Sequence, residues 1–199
     1  MIAANALAGL AAFAFVGSIT PGPNNIMLTP SGLNFGFLRT IPHLFGIFAG
    51  FSLLLLASGL GVGAVFAAVP AAGTALKVAG ALYMLWLAWR IATAGSPGEG
   101  GRTGGRPMTF WQAFAFQWVN PKAWVIALAA MALYVRPGHL VADVLVVTAV
   151  FALVNLPSVS TWAGFGHLLR EFLREPGRVR AFNIVMALLL VASIVPMVL

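Results

Sequence analysis

Apolar residues run through this chain in long blocks, with few polar interruptions. The pattern within the blocks is helical or uniformly apolar, without the alternation of an outer-membrane barrel strand. It predicts spans over about 4–33, 41–69, 73–93, 110–134, 141–165 and 180–199. Two of these, the first and the fourth, contain a break.

In the first span the break is Thr20-Pro21-Gly22-Pro23-Asn24-Asn25. Each proline lacks a backbone N–H and clashes with the carbonyl four residues earlier, so a helix entering near Ala6 is expected to stop here. Proline tolerates the first helical position, and Thr20 and Asn24 are cap-type residues, so the helix is expected to restart at Asn24. In the fourth span the break is Asn120-Pro121-Lys122. Within a bilayer, broken backbone is tolerated only where protein or a wet cavity supplies partners.

The two breaks belong to a repeat. Ala12-Phe13-Ala14-Phe15 precedes the first, and the identical tetrapeptide Ala113-Phe114-Ala115-Phe116 precedes the second, with one residue less before the proline. Residues 95–109 form a Gly/Ser/Pro-rich polar linker, the one stretch that reads as a boundary. It leaves three spans on each side, an odd number, so the second half crosses the membrane in the opposite sense. The expectation is one all-α polytopic domain, 1–199: repeat 1 at 1–94, repeat 2 at 110–199, and six helices as two inverted triplets with helices 1 and 4 broken. Paired broken helices of this kind point to a transporter's substrate site near the midplane.

Composition strengthens the membrane reading. Of 199 residues, 61% are hydrophobic and 8% charged, and the mean hydropathy is +0.98. Soluble domains carry about 25% charged residues. The net charge of +7 lies at predicted helix ends, where it sets topology and does not point to nucleic acid. Eight basic residues follow odd-numbered spans (Arg39, Arg90, Arg102, Arg106, Arg170, Arg174, Arg178, Arg180), against Lys77 and Arg136 on the other side. That asymmetry predicts a cytoplasmic 95–109 loop and external termini. No basic residue precedes Arg39, so the first span is expected to be retained and not cleaved as a signal.

Pro70 is expected to stop the second span, and 168–179 to be an interfacial or loop stretch. Gly32 and Gly36, and Gly46 and Gly50, have the spacing that lets helices approach closely; packing alone accounts for them. His43, His139 and His167 fall near predicted interfaces and are not expected to be ligands; Asp143, the alternative being a proton relay, reads as a solvated end residue.

No cysteine, no paired carboxylates and no metal-ligand cluster are present, so neither an enzyme nor a cofactor or metal protein is expected. The candidate binding residues are those of the breaks. A zwitterionic amino acid offers a carboxylate, which suits the N-terminus of a half-helix, and an ammonium, which suits carbonyls freed by the break. The half-helices beginning near Pro23 and Pro121 supply the first; the backbone at 19–20 and 119–120 supplies the second. Asn24, Asn25 and Asn120 can donate or accept, or simply cap the helices. Lys122, about 12 residues into its span, is a charge near mid-membrane and a functional candidate for that reason, either binding a carboxylate or carrying a proton. Gln117 lies one turn before Asn120. Asn155, Ser158 and Ser160 are placed to line the opposite wall, with Pro157 loosening their helix.

The segments TPGPNNIMLTPSGLNFGF (20–37), LKVAGALYMLWLAWRIATAGSP (76–97), FWQAFAFQWVNPKAW (110–124), WAGFGHLLREF (162–172) and FNIVMALLLV (182–191) resemble the LysE/RhtB family of amino-acid exporters, in order and spacing, over nearly the whole chain. Within it the chain is similar to the branch that exports cysteine and O-acetylserine, through 20–25, 85–93, 166–168 and the last span. It departs from that branch in Asn-Pro-Lys at 120–122, the commoner form in the wider family. The resemblance implies a bacterial inner-membrane exporter of small amino acids driven by protons. Exporters of homoserine, threonine, leucine or basic amino acids are the alternatives, and an accessory membrane subunit the non-transport one. A homodimer is left open.

Overall fold

The computed structural model describes residues 4–63, 68–94, 106–173 and 175–195. Most of the expected linker, including Arg102, lies outside them, as do Arg174 and 196–199. Among the described residues the chain is all-helical: α1 (Ala4–Ile19), α2 (Pro23–Phe35), α3 (Phe37–Gly59), α4 (Pro70–Ala92), α5 (Phe110–Val119), α6 (Pro121–Tyr134), α7 (Leu140–Phe172) and α8 (Pro176–Ala192). Three helices (37–59, 73–92 and 140–172) are long and apolar enough to cross a membrane, and the α1–α2 pair, bent by 55°, makes a fourth.

Both breaks fall where the prolines put them. Gly22, in extended backbone, caps α2, and Pro23 takes its first position. Asn24, expected to begin the helix, is already inside it. Thr20 does not cap α2 either: its hydroxyl donates back to Val16 O at 2.8 Å. In the second break Asn120 is a true cap, its Oδ1 accepting from the Lys122 N–H at 3.1 Å. At the start of α5, Thr109 and Gln112 bond reciprocally, a capping box.

Two boundaries and the setting of one residue differ from expectation. Pro70 begins α4 instead of ending the second span. At the first helical position its missing N–H costs nothing, whereas α3 already stops at Gly59, followed by Gly61 with φ 95°. The long helix α7 continues to Phe172, past the expected span end at 165 and into the stretch expected to be interfacial or loop. Asp143 is not solvated: it is 1% exposed and receives the backbone N–H and the guanidinium of Arg136, at 2.8–3.1 Å. Those bonds raise the pKa of Arg136, in the turn before α7.

Packing divides the interior into two apolar cores. One holds Ile26, Met27 and Leu28 of α2, Leu44 and Ile47 of α3, Phe116 of α5, Val159 and Ala163 of α7, and residues of α4 and α8. The other holds Leu10 and Ala14 of α1, Phe51, Leu54 and Leu55 of α3, Ala123, Ala127 and Ala130 of α6, and Val147 and Phe151 of α7. Each broken pair thus gives one half-helix to each core, while α3 and α7 run through both. Helix α3 packs on α5 and α6, and α7 packs on α1 and α2. Helices α3 and α7 therefore each lie against one of the broken pairs, α3 on α5–α6 and α7 on α1–α2.

The closest crossing joins α2 to α7. A Cβ at Gly32 would collide with the Ala163 carbonyl, and one at Gly166 with the Thr29 carbonyl. Gly50 does the same for α3 on α5, where a Cβ would come 2.6 Å from Phe114 O. The outside is apolar: Trp89, Trp111, Leu153 and Phe172 are all well exposed, which suits a lipid surround.

Candidate functional site

The seam between the two cores is polar because four helix ends meet there. Breaking α1 from α2 frees the last carbonyls of α1, and breaking α5 from α6 brings Lys122 to the start of α6. The Lys122 Nζ lies 2.7 Å from Thr20 O, 2.8 Å from Thr20 Oγ1 and 3.3 Å from Pro21 O. These bonds use all three ammonium protons, and a cation at the carbonyl end of a helix is favoured by the helix dipole. Gly22 makes this approach possible: a Cβ there would lie 2.6 Å from Lys122 Cδ. Of the carbonyls at 19–20, expected to suit a substrate ammonium, that of Thr20 therefore holds the chain's own ammonium. The Ile19 carbonyl is also taken, by the indole N–H of Trp162 at 3.1 Å.

Asn25 ties the first break together. Its amide N–H groups reach Ser18 O and Thr20 O, each at 2.9 Å. With two carbonyls as partners, that side of the amide must be the nitrogen. Its Oδ1 then points elsewhere, buried and without a donor among the described residues. Asn155 of α7 repeats the situation, its Nδ2 on Ser18 Oγ at 3.2 Å and its buried Oδ1 unpartnered. Asn24 and Gln117 join the two halves by a reciprocal amide pair at 2.8 and 3.0 Å.

A cavity of about 30 Å³ opens among these groups, lined by Ser18, Gly22, Pro23, Asn24, Asn25, Asn120, Lys122 and Asn155, with Gly17, Phe51, Ala123, Ile126 and Val159 as apolar wall. That volume suits roughly one or two waters, and is too small for a free amino acid.

The structure brings Thr20, Pro21, Gly22, Pro23, Asn24, Asn25, Gln117, Asn120, Pro121, Lys122 and Asn155 into this one cluster. Gln117, fully buried, pairs with Asn24 and does not line the cavity. Ser158 and Ser160 do not build the opposite wall. Their hydroxyls donate to Val154 O and Leu156 O of their own helix, at 2.8 and 2.7 Å. Sequence reasoning missed Ser18, which both Asn25 and Asn155 touch, and Trp162, a half-buried indole inside α7. Each was legible only as a lone polar group inside an apolar run. His43, expected near an interface, lies near the start of α3 and is 1% exposed, with neither ring nitrogen bonded among the described residues.

An all-helical bundle with an apolar exterior and a polar cluster at two helix breaks defines a membrane protein with an internal site. The chain belongs to the LysE type translocator family, whose profile matches residues 15–194, and it is a transmembrane transporter. It is 36% identical over 181 residues, 90% of each chain, to the cysteine/O-acetylserine efflux protein of Escherichia coli O1:K1 / APEC. At 35% identity and the same coverage it is similar to proteins of that name from Escherichia coli strain K12 and Shigella flexneri serotype 5b (strain 8401). No solved structure matches the chain.

Proposed function

We propose that this transporter exports small amino acids or their derivatives, of the cysteine and O-acetylserine class, across the bacterial inner membrane. The observation that carries the reading is the pair of unpartnered carbonyl oxygens on Asn25 and Asn155 beside Lys122. A buried acceptor without a donor costs about 1–3 kcal/mol, and an amino acid's ammonium would satisfy both. Its carboxylate would take the helix N-terminus at Pro23, or Lys122 once that side chain leaves Thr20. A lysine at the site disfavours a second positive charge, which argues against basic amino acids as cargo.

The site lies where the halves meet, so the proposed mechanism is alternating access, one core rocking against the other and driven by the proton gradient. The exchange of partners between α3 and α7 supports two inverted three-span repeats, with α5–α6 and α8 as the remaining spans. The meeting of Arg90 with Arg106, and the approach of Arg170 to Gly36, gather basic residues at one end of the bundle. That supports a cytoplasmic 95–109 loop and external termini.

The test is efflux of labelled O-acetylserine and cysteine from proteoliposomes under an imposed pH gradient. Wild-type protein is expected to export at least one of them. Pro21→Ala with Pro23→Ala is expected to insert normally and export roughly tenfold more slowly, a barrier change of about 1.4 kcal/mol. Equal rates in both proteins would remove the break from the mechanism.

A further inference from the structure

A second and larger cavity, about 280 Å³, lies beyond the central cluster along the same face of α2. Asn24 belongs to the central site; Met27, Ser31 and Asn34 follow at helical spacing, and the last three line the larger cavity. From Asn24 to Asn34 is about 15 Å along the axis. Met27, one turn beyond Asn24, lines the larger cavity and is 3% exposed.

The wall of this cavity carries a fixed cation. Arg90 stacks on Trp86, 5.1 Å from the ring centroid, and one N–H bonds Arg106 O at 3.1 Å. A guanidinium has five N–H groups in a planar fork, so the stacked and anchored Arg90 keeps donors for a planar anion. Arg106 brings a second positive charge to the rim. His43 also borders the cavity, but both its ring nitrogens are buried, without a partner among the described residues.

We propose that this cavity is a vestibule that receives the amino-acid cargo before it reaches the central site. Arg90 holds the carboxylate. The assignment rests on the export reading above, and extends it to a separate recognition step at one face of the membrane.

The experiment measures uptake of labelled O-acetylserine into oppositely oriented membrane vesicles, so that each face is loaded in turn. Arg90→Gln is expected to raise the half-saturation concentration about tenfold at the vestibule face, with the maximal rate retained and the other face unchanged. Ala94→Trp, which fills the cavity without touching Arg90's charge, is expected to do the same. An equal shift at both faces, or none at either, overturns the proposal. A shift that appears only in vesicles containing phosphatidylglycerol assigns Arg90 to a lipid headgroup and also overturns it. Lys122→Met separates this step from the central site: unchanged transport there, with the Arg90 shift intact, would keep the vestibule and retire the central reading.

Discussion

The ammonium of Lys122 lies 2.7 Å from the carbonyl oxygen of Thr20, 102 residues earlier in the chain. One side chain from the second broken helix thereby closes the open end of the first. Removing it leaves Thr20 O and Pro21 O facing a cavity. Lys122→Met, similar in length and uncharged, is expected to insert normally and to lose export by roughly a hundredfold, about 2.7 kcal/mol of barrier. Lys122→Arg keeps the charge but replaces a compact ammonium by a planar fork, and is expected to fall between the two. Efflux from proteoliposomes at matched protein content measures both.

Gly22 leaves no room for a methyl group beside Lys122, the added carbon falling 2.6 Å from Cδ and 3.0 Å from Nζ. Its backbone is extended, so alanine brings no conformational strain of its own. Gly22→Ala is expected to push the lysine off Thr20 and reduce export several-fold, with a loss of stability of about 1 kcal/mol. Thermal unfolding in detergent, run beside the efflux assay, separates the two effects.

The Asn24–Gln117 pair joins the halves by two bonds and is suited to a double-mutant cycle. Gln117 is fully buried, so Asn24→Leu strands its amide oxygen at a cost of about 1–3 kcal/mol. The double variant with Gln117→Leu is expected to be less destabilised than the sum of the single ones by at least about 0.5 kcal/mol. Additive losses in melting temperature would mean that the pair acts as two independent groups.

Gly166 and Gly164 make a paired control two residues apart on α7. Gly166 lies against the Thr29 carbonyl, whereas nothing lies within 4 Å of a Cβ at Gly164. Gly166→Leu is expected to force α2 from α7 and cost about 3 kcal/mol or more. Gly164→Ala is expected to be neutral or to stabilise by up to about 1 kcal/mol through helix propensity. The yield of monodisperse protein and its melting temperature report both.

The breaks were legible in the sequence because proline acts through its own backbone. No neighbour is needed to know that Pro21, Pro23 and Pro121 interrupt a helix. Pro70 misled for the same reason taken one step too far: proline ends a helix only when residues precede it in that helix, and α3 had already stopped at Gly59. Asp143 read as solvated because its partner's reach is a matter of turn geometry: Arg136 folds back over Pro137 and Gly138. The residues gathered at the breaks could be named, but not their partners. Nothing local says that Lys122 bonds Thr20 instead of water, or that Asn25 turns its nitrogen toward Ser18. His43 read as an interface residue because it stands near a helix start, and the cavity it borders is built by three other segments.

Every strand of helix that passes from one core to the other is weakened at the crossing. The prolines at 21, 23 and 121 cut two of them; Pro157 sits in α7 between Phe151 and Val159, and Gly50 sits in α3 between Ile47 and Phe51. In the rocking mechanism proposed above, a tilt of one core against the other would therefore meet a proline or a glycine in each of the four paths, with Lys122, Asn25 and Asn155 beside the breaks.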